Sequence, residues 1–180
     1  IQGVCGKLPE TAKLQDLLLH TIKSIAFFSK KLRASGSITT EIDFYITNSL
    51  FMTITNANFD DDAIIVVIKK GLEIRDTLWS LAKEKGLEIE NTFSTYLTST
   101  NELVTKEQMI SFAEKVGVLR TENEDIRSLR ELVIYGLKGL SAYVEHAFNL
   151  GKQNTEIFKF IEKALVEVDN PANGADELVA

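Results

Sequence analysis

Three groups of residues in this chain have side chains suited to chemistry. Cys5, the single cysteine among 180 residues, sits in Gly3-Val4-Cys5-Gly6-Lys7, outside any periodic segment. Glycines on both sides let backbone N–H groups approach a sulfur, and Lys7 favours the thiolate. The turn therefore suits a metal-ligating or reactive thiol as well as an inert loop thiol. An iron–sulfur cluster needs several thiolates, and this chain offers one. His20 and His146 stand in no His-Glu-x-x-His pattern, and no Glu precedes either by three residues. Both read as ordinary, partly exposed side chains. Asp60-Asp61-Asp62 lacks the alternating ligands and the glycine of a calcium loop, and reads as acidic capping of a helix start. No phosphate-cradling glycine loop and no nucleophile elbow occurs, so nothing points to phosphoryl transfer, dinucleotide binding or hydrolysis.

The elements that would position these residues are repeated. Leu14–Gly36 recurs as Leu129–Gly151, at an offset of 115 residues, the interval from Leu14 to Leu129. The same offset maps Thr40-Glu41-Ile42 onto Thr155-Glu156-Ile157, Asn58 onto Asn173 and Asp61 onto Asp176. Each copy is one packing unit. Leu14, Leu18, Thr21, Ile25, Phe28 and Leu32 form a helical stripe, and Leu129, Val133, Gly136, Leu140, Tyr143 and Ala147 occupy the same slots. Thr21 and Gly136, both small, mark a close helix crossing. Pro9 suits a first turn, and Gly36 and Gly151 suit helix ends.

A second helix in each copy carries Ile42, Ile46, Leu50 and Ile54, or Ile157, Ile161, Leu165 and Val168, with Thr40-x-x-Asp43 as a cap. A third follows Asn58, turns Ile64, Val67, Ile68, Gly71, Leu78 and Leu81 inward, and ends near Gly86. The matching third helix of copy two is due where the chain stops, and no initiator Met opens it, so the sequence reads as a fragment cut at both ends. Thr92–Thr100 reads as loop; Thr105-x-x-Gln108 and Thr121-x-x-Glu124 read as capping boxes, the first opening a short helix to about Val116. The expected fold is all-α: two pseudo-repeated three-helix bundles, the second lacking most of its third helix. The expected units are residues 1–86 (Cys turn and first bundle), 87–122 (connection with a short helix) and 123–180 (second bundle). The fragment is expected to self-associate through the uncovered stripes of Leu129–Gly151 and Ile157–Val168, or to borrow a helix from a neighbour.

Composition narrows the partners. A net charge of −6 without any Lys/Arg-rich block argues against nucleic acid. Lys30-Lys31 and Lys69-Lys70 read as solvated helix faces. No apolar run approaches the ~20 residues of a membrane helix, and no secretory leader opens the chain. One cysteine leans toward the cytoplasm.

Gly3–Lys7, Leu14-Gln15-Asp16-Leu17-Leu18 and Thr55-Asn56-Ala57-Asn58-Phe59-Asp60 resemble, in order, the N-terminal helical domain of hybrid-cluster (prismane) proteins, the hydroxylamine reductase family. Thr121–Leu132, Tyr135–Leu140 and Glu145-His146-Ala147 before Leu150-Gly151 resemble the same family. The resemblance covers essentially the whole chain. It implies two stacked three-helix bundles and a four-cysteine motif for a 4Fe-4S or 2Fe-2S cluster, of which Cys5 matches the last cysteine. The other three would lie upstream of Ile1. A hybrid iron–sulfur–oxygen cluster would be bound by later domains. It further implies electron entry from a redox donor, reduction of hydroxylamine to ammonia and water, with nitric oxide as a second substrate, and a scaffold role for this stretch beside the remaining domains. The alternative is a free-standing helical interaction module without redox function.

Overall fold

The computed structural model describes residues 6–54, 58–87, 96, 98 and 100–179. Among them are seven α-helices and no strand: α1 (Pro9–Leu32), α2 (Thr40–Met52), α3 (Asp61–Glu84), α4 (Lys106–Val116), α5 (Glu124–Asn149), α6 (Thr155–Asp169) and α7 (Ala175–Val179). Shifting α1 and α2 by 115 residues gives 124–147 and 155–167, the spans of α5 and α6 to within two residues. Gly36 and Gly151 close equivalent helices with φ of +69° and +71°, a backbone conformation that glycine adopts without a Cβ penalty.

The copies are packed across one another. α1 lies most extensively on α3, then on α6 and α4, while the main partner of α2 is α5. The first helix of each copy thus rests on the second helix of the other. On the α1–α6 side polar pairs accompany the apolar packing: Ser29 donates to Glu162, Lys23 to Asp169 at 2.9 Å and Lys30 to Glu167 at 2.8 Å. On the α2–α5 side the contact is aromatic, with Phe44 and Phe148 stacked at 4.0 Å between ring centroids.

This arrangement moves one expected stripe. On α1 the whole predicted set, Leu14 to Leu32, is buried, and Thr21 meets α3 at Gly71, where an added Cβ would lie 2.7 Å from Thr21 Cγ2. On α5 the buried residues are Ile134, Leu137, Ser141 and Val144 instead, the face turned to its neighbours. Of the predicted α5 stripe, Tyr143 is 77% exposed and Gly136 faces open space. Among the described residues no helix makes the close crossing expected at Gly136, whereas its α1 counterpart Thr21 lies against Gly71 of α3. The stripe of α6 is not open either, since Ile161, Leu165 and Val168 are buried and α6 packs on α1.

The helix starts are a mixed result. Thr105 and Gln108 form the reciprocal capping box. Asp60 caps α3, its carboxylate accepting from Ala63 N at 3.0 Å. Thr40 does not cap α2: it is the first helical residue, and Asp43 is drawn into the interior by Arg33. Thr121 does not cap α5, because Asn123 lies closer to the first turn and accepts from Ile126 N. The Ser/Thr-rich stretch 92–100 lies outside the described residues apart from 96, 98 and 100.

Candidate functional site

Cys5 lies outside the described residues. The chain directly after it is well tied. Gly6 has φ +88°, and Lys7 Nζ donates to Gln15 Oε1 at 2.7 Å. Gln15, buried on the first turns of α1, in turn donates from Nε2 to the Asn58 carbonyl at 3.2 Å. Lys138 of α5 donates to the Thr53 carbonyl at 3.2 Å. Burial lowers its pKa, with Lys7 and Lys23 acting in the same sense and Glu131 and Asp16 opposing.

A polar cleft of about 30 Å³ opens between α1, the α4–α5 connection, α5 and the end of α6. Asp16 and Glu131 face one another across it. Burial, then Glu131, pushes the Asp16 carboxyl up to about 6, against the pull of Lys138, the Val118 N–H and Lys23. The connection approaches Asp16 closely: a Cβ on Gly117 would lie 2.8 Å from Asp16 Oδ2. Asp169 goes the other way. Burial alone would raise it, but Lys23 above all, with Arg120 and His20, holds it down to about 2. Tyr96, whose own pKa is raised by burial and then by Asp169, donates to Asp169 Oδ2 at 3.1 Å.

Asp16 is thus a charge held against its burial. Its folded-state pKa stands above the unfolded value of about 3.9, so ionised Asp16 opposes folding above pH 6, and that cost fades as pH falls toward 4. Asp16→Asn, which keeps an acceptor for Val118, is expected to stabilise the fold by about 2–3 kcal/mol at pH 7, with most of that gain gone at pH 4. Urea unfolding of both proteins at the two pH values measures it, and an equal difference at both would refute it.

The other candidates separate. His20 is buried, with ring centroids 5.1 Å from Tyr96 and 5.8 Å from Phe112, rather than partly exposed. His146 is exposed, 6.2 Å from Phe51. Asp61 pairs with Lys106 at 2.8 Å, which outweighs partial burial and lowers its pKa. Among the described residues no three His, Cys, Asp or Glu side chains are grouped to hold a metal. With one cysteine in the sequence, this chain's own donors do not fit an iron–sulfur cluster.

Asp16, Glu131, Lys138 and Asp169 were not among the residues singled out from sequence. Gln15-Asp16 was the available signal: two polar residues inside Leu14–Leu19, on a helix apolar around most of its circumference.

Residues 1–179 match the model of the Prismane/CO dehydrogenase family. A hydroxylamine reductase of Bacteroides thetaiotaomicron is 49% identical over 99% of this chain and 31% of its own length. That of Bacteroides fragilis is 47% identical over 99% and 31%, and that of Desulfitobacterium hafniense 44% identical over 100% and 32%. The chain spans about a third of the length of these curated relatives. Among the described residues no helix is long and apolar enough to cross a membrane.

Proposed function

Because the chain belongs to the Prismane/CO dehydrogenase family, we propose that it forms the N-terminal helical part of a hydroxylamine reductase. The observation that carries this reading is the match of essentially the whole chain, at 44–49% identity, to proteins of that name. The whole protein would add two electrons and two protons to hydroxylamine, giving ammonia and water; nitric oxide is a second candidate substrate. The two helical copies, residues 1–86 and 123–180, joined by 87–122, would be scaffold on the side where electrons enter from a redox donor. A single cysteine supports placing the protein in the cytoplasm.

Within this reading Cys5 is one thiolate of an N-terminal 4Fe-4S or 2Fe-2S cluster whose remaining ligands lie outside this sequence. A hybrid iron–sulfur–oxygen cluster would belong wholly to later domains. The tether from Lys7 through Gln15 to Asn58 supports the assignment, because it fixes the chain two residues from Cys5 on α1. In the full-length protein, Cys5→Ser should lower the iron and sulfide content and the visible absorption of the N-terminal cluster. Unchanged iron and sulfide would overturn the ligand role.

The remaining domains are the expected partner of the outer face of α5. Leu132, Tyr135 and Tyr143 are 66–77% exposed on one helix, a patch of a kind that marks contact surfaces. In the 180-residue chain alone the same face should drive self-association. Tyr135→Asp with Tyr143→Asp should shift sedimentation to the monomer; a parent chain already monomeric at high concentration would count against this.

A further inference from the structure

The polar cleft contains a donor without an acceptor. Arg130 Nε is buried and has no hydrogen-bond partner, and Arg130 Nη1 reaches Thr121 Oγ1 only at 3.3 Å. A buried N–H left unmade costs about 1–3 kcal/mol, and more when charged. Arg127 converges on the same residue, donating from Nη1 to the Thr121 carbonyl at 3.0 Å. Two guanidinium groups thus meet at one threonine, and like charges so placed repel one another even with Asp16, Glu131 and Asp169 lining the same cleft.

Two of the three carboxylates lining the cleft, Asp169 and Asp16, have partners of their own. Asp169 accepts from Lys23 at 2.9 Å and from Tyr96 at 3.1 Å, with Arg120 at 4.0 Å. Asp16 accepts from the Val118 N–H and faces Glu131. The cleft, with about 30 Å³ open to water-sized groups, has room for water or a small ion, since one water needs only ~10–15 Å³.

We propose that Arg130 and Arg127 bind one small monovalent anion in this cleft, fastening the α4–α5 connection to α5. The anion supplies the acceptor that Arg130 Nε lacks and relieves the repulsion between the two guanidinium groups. A site of this kind is independent of any redox role, since none of its groups belongs to the N-terminal turn.

Bromide is the probe. Crystals of the protein grown in sodium bromide, measured at the bromine absorption edge, should show an anomalous peak within hydrogen-bond distance of Arg130 Nε. In solution the urea midpoint should be higher in sodium bromide than in sodium gluconate at equal ionic strength. Arg130→Gln should weaken that bromide dependence at least tenfold, and Arg127→Gln, which leaves the orphan donor in place, should weaken it less. If Arg130→Gln does not fold, Arg127→Gln carries the test alone. Density without anomalous signal means water and overturns the proposal. So does a midpoint difference that both variants retain. A bromide peak with no difference in solution means binding at crystal concentration only, and overturns it as well.

Discussion

Arg33→Met is expected to destabilise the fold by about 3–5 kcal/mol, the range found when one partner of a buried ion pair is removed. Arg33 follows α1 and reaches two elements at once. Its Nε donates to Glu162 Oε2 at 2.7 Å and its Nη2 to Glu162 Oε1 at 2.5 Å, while the guanidinium also engages both oxygens of Asp43. Both carboxylates are buried, with side chains only 3% and 6% exposed. Without the arginine they would face one another across the α1–α2–α6 junction with Ser29 as the remaining donor to Glu162. Either charge would then be held at a high desolvation cost. The loss should shrink as pH falls, because protonation relieves two unpaired carboxylates. Urea unfolding at pH 7 and pH 5 measures this, and a loss below about 1 kcal/mol at pH 7 would show that the network is dispensable.

Gly71→Val should cost about 3 kcal/mol or more, at the upper end of what overpacking a core does. An added Cβ at Gly71 would collide with Tyr45 Oη and lie 2.7 Å from Thr21 Cγ2. Both neighbours are tethered: Thr21 is buried and donates to the Leu17 carbonyl at 2.9 Å, and the Tyr45 phenol donates to the Val67 carbonyl at 2.8 Å. Gly71→Ala should already destabilise. Gly139→Ala on α5 is the control. Nothing lies within 4 Å of its Cβ position, so relief of the intrinsic cost of helical glycine should stabilise the fold by about 0.5–1 kcal/mol. Equal effects at Gly71 and Gly139 would contradict the crossing described for α1 and α3.

These two sites show where the sequence could be read and where it could not. Helix spans follow from the repeat because caps and glycine ends are local chemistry; an offset of 115 carries α1 and α2 onto α5 and α6. Which face of a helix is buried is not local. Thr21 and Gly136 occupy one slot, but burial depends on the third helix, which covers Thr21 and leaves Gly136 open. Caps failed where a stronger partner intervened, Arg33 for Asp43 and Asn123 for Thr121. The polar cleft was not legible, because Asp16, Arg130 and Asp169 are brought together only by the folded packing of α1, α5 and α6. Cys5 was legible as a residue type in a glycine turn, while its chemistry depends on ligands beyond this chain.

The crossed packing of the copies also sets the order in which the molecule can be completed during synthesis. The face of α1 that meets α6 has no cover until Asp169 has been made, well over a hundred residues after Leu32. At about 5–20 residues per second, that interval is on the order of ten seconds. A nascent chain holding α1, α2 and α3 therefore presents an unfinished surface to the ribosome exit and to chaperones throughout that time, and the first copy reaches its native form only when the second arrives.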